Sequence, residues 1–324
     1  MVQRVGDTAA QAHVEHEHLH PSRSETFPFP ERVMLYGRIP VRYFDAAPPP
    51  GAPVAGTVIV VHGLGANLTH FEYVAPALLA AGWRVAGLDL PGFGLSGKPH
   101  RRYSIHFLSG AVLALLDHLG VADAVLCGHS LGGLVCADLA LRAPQRARAL
   151  VLISSAGLFS MPLPVRLLLR TIPWRGVLEP ALERNARLVL SRVFHSTNER
   201  TERFVAQSTG RPDARFVTDL VRVMSAARRD LLGYTLLGEA ERLTMPTLVI
   251  WGERDRLLPS TEVPRWAKRL PRGELEVIPA CGHMSIIENP EAVVRRIQSF
   301  LHKSCGASPP RTSKESSPPT PIPR

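Results

Sequence analysis

Ser130 stands in Gly128-His129-Ser130-Leu131-Gly132, directly after the apolar run Ala124–Cys127 and directly before a helical pattern. A serine framed by glycines at that junction suits a sharp turn that pushes its hydroxyl out at the strand's end, where larger neighbours would clash. The same five letters also occur as an ordinary helix N-cap, so the string alone does not define a nucleophile. A hydroxyl attacks poorly at neutral pH until a base takes its proton and a third group fixes the tautomer of that base. Both partners follow downstream. Asp255 closes Trp251-Gly252-Glu253-Arg254-Asp255 after one apolar run, and His283 lies in Ala280-Cys281-Gly282-His283-Met284 after the next. Taken singly, Asp255 reads as a surface ion pair and His283 as a hydrogen-bonded loop histidine. Their order, and their place beyond strand ends where open α/β sheets carry functional groups, makes them candidate acid and base. Glu253 is a competing acid. The stretch Ser154-Ser155-Ala156, the other usual place for the acid, offers no carboxylate.

Acyl transfer also requires donors aimed at the developing oxyanion, commonly backbone N–H groups. Leu131 follows the nucleophile and supplies one. Val61-His62-Gly63-Leu64-Gly65 ends an early apolar run and offers the N–H of Leu64 as the second. His62 is read as shaping this turn by hydrogen bonding, with direct proton transfer as the lesser alternative.

These residues need a rigid scaffold, and the chain supplies its elements in alternation. The runs Thr57–Val61, Arg84–Leu88, Ala124–Cys127, Ala149–Ile153, Thr247–Trp251 and Leu275–Ile278 read as buried strands. Between them, Phe71–Ala81, Ser104–Leu119, Leu131–Ala143, Thr261–Leu270 and Pro290–Leu301 have helical spacing. Such alternation predicts an α/β fold, a mainly parallel sheet flanked by helices on both faces. It fails over 157–238, where Pro, Arg and Leu dominate. That segment is expected to be a helical cap inserted between two parts of the core, 27–156 and 239–302. Segments such as Met161–Ile172 and Leu178–Phe194 mix Leu, Val and Ile with Arg, which suits amphipathic helices over a core; contact with a membrane surface is the lesser alternative. Residues 1–26, with His13, His16, His18 and His20, and the Pro- and Ser-rich residues 303–324 read as disordered tails. Metal binding by those histidines is the weaker reading of the first tail.

The 324 residues can bury one large core, and 45% hydrophobic with 20% charged residues excludes wholesale disorder. A net charge of +10 invites a nucleic-acid partner. The basic residues are nearly all arginine and are spread along the chain, without a base-reading motif, so no nucleic acid is expected. Cys127, Cys136, Cys281 and Cys305 lack zinc-site or disulfide-framework spacing, and neither a secretory signal nor a spanning apolar segment is visible. A soluble cytoplasmic protein with reduced thiols is the expectation. Every chemical role is filled by side chains and backbone, so no metal or organic cofactor is expected.

Taken together, His62-Gly63-Leu64-Gly65, Asp89-Leu90-Pro91-Gly92-Phe93-Gly94-Leu95-Ser96, Gly128 to Gly133, Trp251 to Asp255 and Cys281 to Met284 make the chain from Val33 to Leu301 resemble the α/β-hydrolase family. The resemblance implies a structural role for the Asp89 loop and a cap at 157–238. It also disfavours dehalogenase and epoxide-hydrolase activities, whose enzymes of this fold place Asp where this chain has Ser130. A serine hydrolase of a small apolar carboxylic ester is the reading that follows. A carbon–carbon bond hydrolase of vinylogous diketones is the enzymatic alternative. A low-turnover ligand-binding receptor on the same fold is the alternative from another class.

Overall fold

The computed structural model describes residues 27–159, 163–171, 193–209, 214–258 and 260–306. The histidine-bearing tail, the end of the chain past 306 and most of Leu178–Phe194 lie outside the described residues.

The sheet has eight strands in the order β1-β2-β4-β3-β5-β6-β7-β8. They are β1 (Glu31–Tyr36), β2 (Ile39–Ala46), β3 (Thr57–Val61), β4 (Arg84–Leu88), β5 (Ala124–His129), β6 (Ala147–Ile153), β7 (Thr247–Gly252) and β8 (Gly273–Ile278). Strands β3 to β8 are parallel, as the alternation predicts, while β2 runs antiparallel to both β1 and β4. The helices are α1 (Val74–Ala80), α2 (Ile105–His118), α3 (Leu131–Arg142), α4 (Leu163–Thr171), α5 (Glu199–Thr209), α6 (Ala214–Leu231), α7 (Val263–Ala267), α8 (Ser285–Glu288) and α9 (Pro290–Cys305).

Strands β3 to β7 bury both faces because their side chains alternate between two cores. In β3, Ile59 and Val61 join one cluster with Leu108 and Val112 of α2, Leu134 and Val135 of α3 and Trp266 of α7. Val58 and Val60 join the other with Leu78 of α1, Ile286 and Ile287 of α8 and Ile297 and Phe300 of α9. Burying an aliphatic side chain of this size contributes about 1.5–3 kcal/mol, so the doubly covered central strands form a stable platform. Ser130 and Asp255 follow the carboxyl ends of β5 and β7, and His283 follows that of the edge strand β8.

Three features differ from expectation. Leu275–Ile278, read as a buried strand, belongs to β8 at the sheet edge, where Val277 is 45% exposed and only Ile278 is buried. The β1–β2 hairpin is not among the expected strands, because Val33 and Leu35 face outward, 50% and 69% exposed, and Pro40 stands at the second position of β2. A half-exposed edge pair lacks the continuous apolar run that marks the inner strands. Helix α9 also runs through Cys305, past the expected core limit at 302. Its last turn is held by Lys303, whose Nζ lies 2.9 Å from Glu274, and by packing of Cys305 on the second core.

Between β6 and β7 the described residues contain helices α4, α5 and α6 and no strand. Phe204 and Val205 of α5 join the second core, and Val223 and Ala227 of α6 join the first.

Candidate active site

Ser130 has φ 55° and ψ −117°, a backbone conformation that a non-glycine residue adopts only when its surroundings enforce it. Here they do. Its N–H donates to the carbonyl of Ile153 at the end of β6, 2.9 Å away, and its own carbonyl accepts from Gly133 and Ala156, each at 3.0 Å. The flanking glycines are required by close approach: a Cβ on Gly128 would lie 2.2 Å from the Gly132 carbonyl oxygen, and one on Gly132 would lie 2.0 Å from that of Val61. Gly132 therefore lets the start of α3 press against the end of β3, which brings the turn after β3 to Ser130. A Cβ on Gly63 would sit 3.1 Å from the Cβ of Ser130.

His283 and Asp255, on the loops after β8 and β7, are brought together. His283 Nδ1 lies 2.7 Å from Asp255 Oδ2, and their side chains are 4% and 1% exposed. The other carboxylate oxygen, Oδ1, accepts from the N–H groups of Leu257 at 2.8 Å and Leu258 at 3.0 Å. An ionised carboxylate only accepts, so Nδ1 carries the proton and Nε2 is left with its lone pair, the arrangement a general base needs. Glu253 is elsewhere: its carboxylate is about half exposed, 3.4 Å from Arg254, and accepts from the N–H of Ala280.

Leu131 is the first residue of α3, and the N–H groups of a helix's first turn have no acceptor within the helix. Leu64 lies in the turn after β3 that His62 shapes. Leu90 N–H donates to His62 Nε2 at 2.9 Å, which places the proton on Nδ1, and Nδ1–H donates to the Gly63 carbonyl at 2.8 Å. Burial lowers the pKa of His62, so the neutral ring that makes both bonds persists. Because a trans peptide directs C=O and N–H oppositely, fixing the Gly63 carbonyl also fixes the direction of the Leu64 N–H.

Asp89 anchors the neighbouring loop and has no exposure to solvent. It accepts from Leu68 N–H at 2.8 Å, Leu95 N–H at 2.7 Å and the Arg42 guanidinium at 3.1 Å, while Ser96 Oγ–H donates to its carbonyl at 2.6 Å. A Cβ on Gly94 would collide with its carboxylate at 2.2 Å. The Asp89 loop is structural, as its resemblance to the family implies.

One contributor escaped the sequence reading. His129, buried beside Ser130, donates from Nε2 to the main-chain carbonyl of His283 at 3.0 Å. It occupies the variable position of the Gly-x-Ser-x-Gly pattern, so no motif marks it. Its pKa is lowered to about 3, chiefly by burial and then by the charge of His283. Cys281 is no rival nucleophile, since burial and then the Glu288 carboxylate push its thiol up to about 12. No group of metal-ligating side chains occurs among the described residues. No helix among them is long and apolar enough to cross a membrane.

Known proteins share this arrangement of elements. The family model described as the alpha/beta hydrolase fold matches residues 56–290. The chain is 33% identical over 283 residues to a dihydrolipoyllysine-residue acetyltransferase component of an acetoin cleaving system from Pseudomonas putida, covering 85% of this chain and 70% of that protein. It is 30% identical over 263 residues to a 2-hydroxy-6-oxononadienedioate/2-hydroxy-6-oxononatrienedioate hydrolase from Cupriavidus pinatubonensis, covering 76% and 87%. It is also 30% identical over 260 residues to a pimeloyl-[acyl-carrier protein] methyl ester esterase from Aeromonas hydrophila, covering 75% and 94%. With the family model spanning most of the sheet and every loop that carries the site, the chain belongs to the alpha/beta hydrolase family and is an enzyme of that fold.

Proposed function

We propose that the protein is a serine hydrolase that cleaves a small apolar carboxylic ester through an acyl-enzyme on Ser130. The observation that carries this reading is the pairing of His283 Nδ1 with the buried Asp255 carboxylate, which leaves Nε2 free to act on a hydroxyl presented by a strained turn. His283 accepts the Ser130 proton as Oγ attacks the ester carbonyl. The N–H groups of Leu64 and Leu131 hold the oxyanion, and Asp255 stabilises the imidazolium. His283 then protonates the departing alcohol, takes a proton from water as that water attacks the acyl group, and returns it to Ser130. Helices α4 to α6 act as a cap whose apolar side chains select the acyl or alcohol group.

A serine favours acyl chemistry over alkyl transfer, because the acyl-serine formed is itself an ester that water can cleave. The methyl ester esterase relative supports this substrate class. The carbon–carbon bond hydrolase relative keeps a second reading in play, because the same Ser, His and Asp roles suit a vinylogous diketone. A panel of p-nitrophenyl esters of rising acyl length, run beside such a diketone, separates the two. The ester reading expects turnover of short or medium esters that exceeds diketone cleavage. Turnover of the diketone alone would reject it.

A further inference from the structure

His283 is held at both ends of its own residue. Its carbonyl accepts from His129, and its N–H donates to the carbonyl of Val193 at 2.8 Å. Val193 belongs to the segment 193–198 that leads into α5 within the helical insertion, so the base's main chain rests directly on that segment. The contact is close. A Cβ on Gly282 would lie 2.7 Å from both the Val193 carbonyl oxygen and the His195 nitrogen.

The group that binds the two segments together is Glu288, the last residue of α8, 6% exposed. Its Oε1 accepts from Ser196 N–H at 2.7 Å, from Ser196 Oγ–H at 2.8 Å and from His195 N–H at 3.2 Å. Its Oε2 accepts from Gly282 N–H at 2.9 Å and shares the His195 N–H at 3.2 Å. Its own carbonyl accepts from Asn198 Nδ2–H at 3.2 Å. Oε1 thus serves only the segment from the insertion, and Oε2 bridges that segment to the residue immediately before the base. Bonds from backbone N–H to an ionised, buried acceptor are short and strong, and removal of the acceptor strands every donor at once.

We propose that Glu288 is a positioning residue for the catalytic base: by tying residues 195–196 to Gly282 it fixes the main chain of His283 and couples the base to the helical insertion. The inference rests on the proposed role of His283. Glu288 touches no reacting atom, so its effect is on where the imidazole is held, and displacement of a catalytic group by about 1 Å costs up to about a hundredfold in rate.

The experiment uses the full chain and a fluorophosphonate probe, recording both the number of sites labelled at completion and the rate constant per site, together with kcat and KM on p-nitrophenyl acetate. In Glu288→Gln the amide oxygen can keep the bonds to Ser196 and His195, but the NH2 group faces the Gly282 N–H. The expected result is a full titre of sites, a labelling rate and a kcat per site lowered about ten- to a hundredfold, and KM within about twofold. A reduced titre with unchanged rate per site would show a purely structural role and overturn the proposal. If Glu288→Gln fails to fold, Ser196→Ala removes one bond to the same oxygen, and its rate per site must fall by a few fold; an unchanged rate there overturns the proposal equally. Absence of labelling in the unaltered protein would instead refute the serine-hydrolase reading itself.

Discussion

His129 ends β5 and His283 lies on the loop after β8, yet the imidazole of one donates to the main-chain carbonyl of the other at 3.0 Å. The residue that precedes the proposed nucleophile therefore holds the main chain of the proposed base. Replacing the ring's donor while keeping its bulk isolates this link: His129→Phe should lower kcat about tenfold, equivalent to about 1.4 kcal/mol of barrier, with little change in KM. Steady-state kinetics with a p-nitrophenyl ester reads the effect, and an unchanged kcat would mean that packing alone holds the base.

Three histidines withdrawn from solvent make stability pH-dependent: His62 and His129 are buried and His70 is half-buried. His62, His70 and His129 all have lowered pKa values, through burial first in each case, with His129 near 3 against an ordinary 6.5. The unfolded chain binds these protons near 6.5 while the fold refuses them, so their contribution is fully present above that pH and is lost as pH falls toward the folded values. Each histidine adds up to about 1.4 kcal/mol per pH unit to that loss. Urea unfolding between about pH 5 and 6 should show the slope, and His129→Phe should reduce it by one proton. The same slope in both proteins would contradict the assignment.

Asp255→Asn tests the tautomer. The N–H groups of Leu257 and Leu258 claim one terminal atom as an acceptor, so the amide oxygen is held there and the NH2 is turned toward His283 Nδ1. An NH2 donor forces the imidazole proton onto Nε2, where it blocks deprotonation of Ser130. The expected loss in kcat is about a thousand- to ten-thousandfold, with folding retained by circular dichroism. Glu253→Gln, on the exposed neighbour, should leave kcat within about twofold; reversed outcomes would exchange the two acids.

Gly282→Ala should be costly for a steric reason. The added methyl would meet main-chain atoms of Val193 and His195 at 2.7 Å, and backbone cannot swing aside as a side chain does. Overpacking of this kind destabilises by about 1–3 kcal/mol, which a lowered midpoint of thermal unfolding would register. A neutral variant would indicate that segment 193–198 does not lie against the base's loop.

The parallel strands were legible because Thr57–Val61 and Thr247–Trp251 are apolar at every position or nearly so, the mark of a strand covered on both faces. Ser130, Asp255 and His283 were legible because chemistry restricts their types and the strand ends restrict their places. The β1–β2 pair was not, since Val33 and Leu35 of β1 face outward and Pro40, Arg42 and Asp45 break the apolar run of β2. His129 and Glu288 were invisible for a different reason. Each acts on main-chain atoms far away in the chain, and backbone N–H and C=O groups leave no trace in residue type. The His-rich tail and the unplaced parts of the insertion lie outside the described residues.

The central claim is that Ser130 is the nucleophile, and the most direct measurement is the mass of the protein after reaction with a fluorophosphonate, followed by peptide mapping. The account predicts one adduct per chain, located on Ser130, together with loss of ester turnover and absence of the adduct in a folded Ser130→Ala variant. An adduct on another residue, or undiminished turnover in Ser130→Ala, would contradict it.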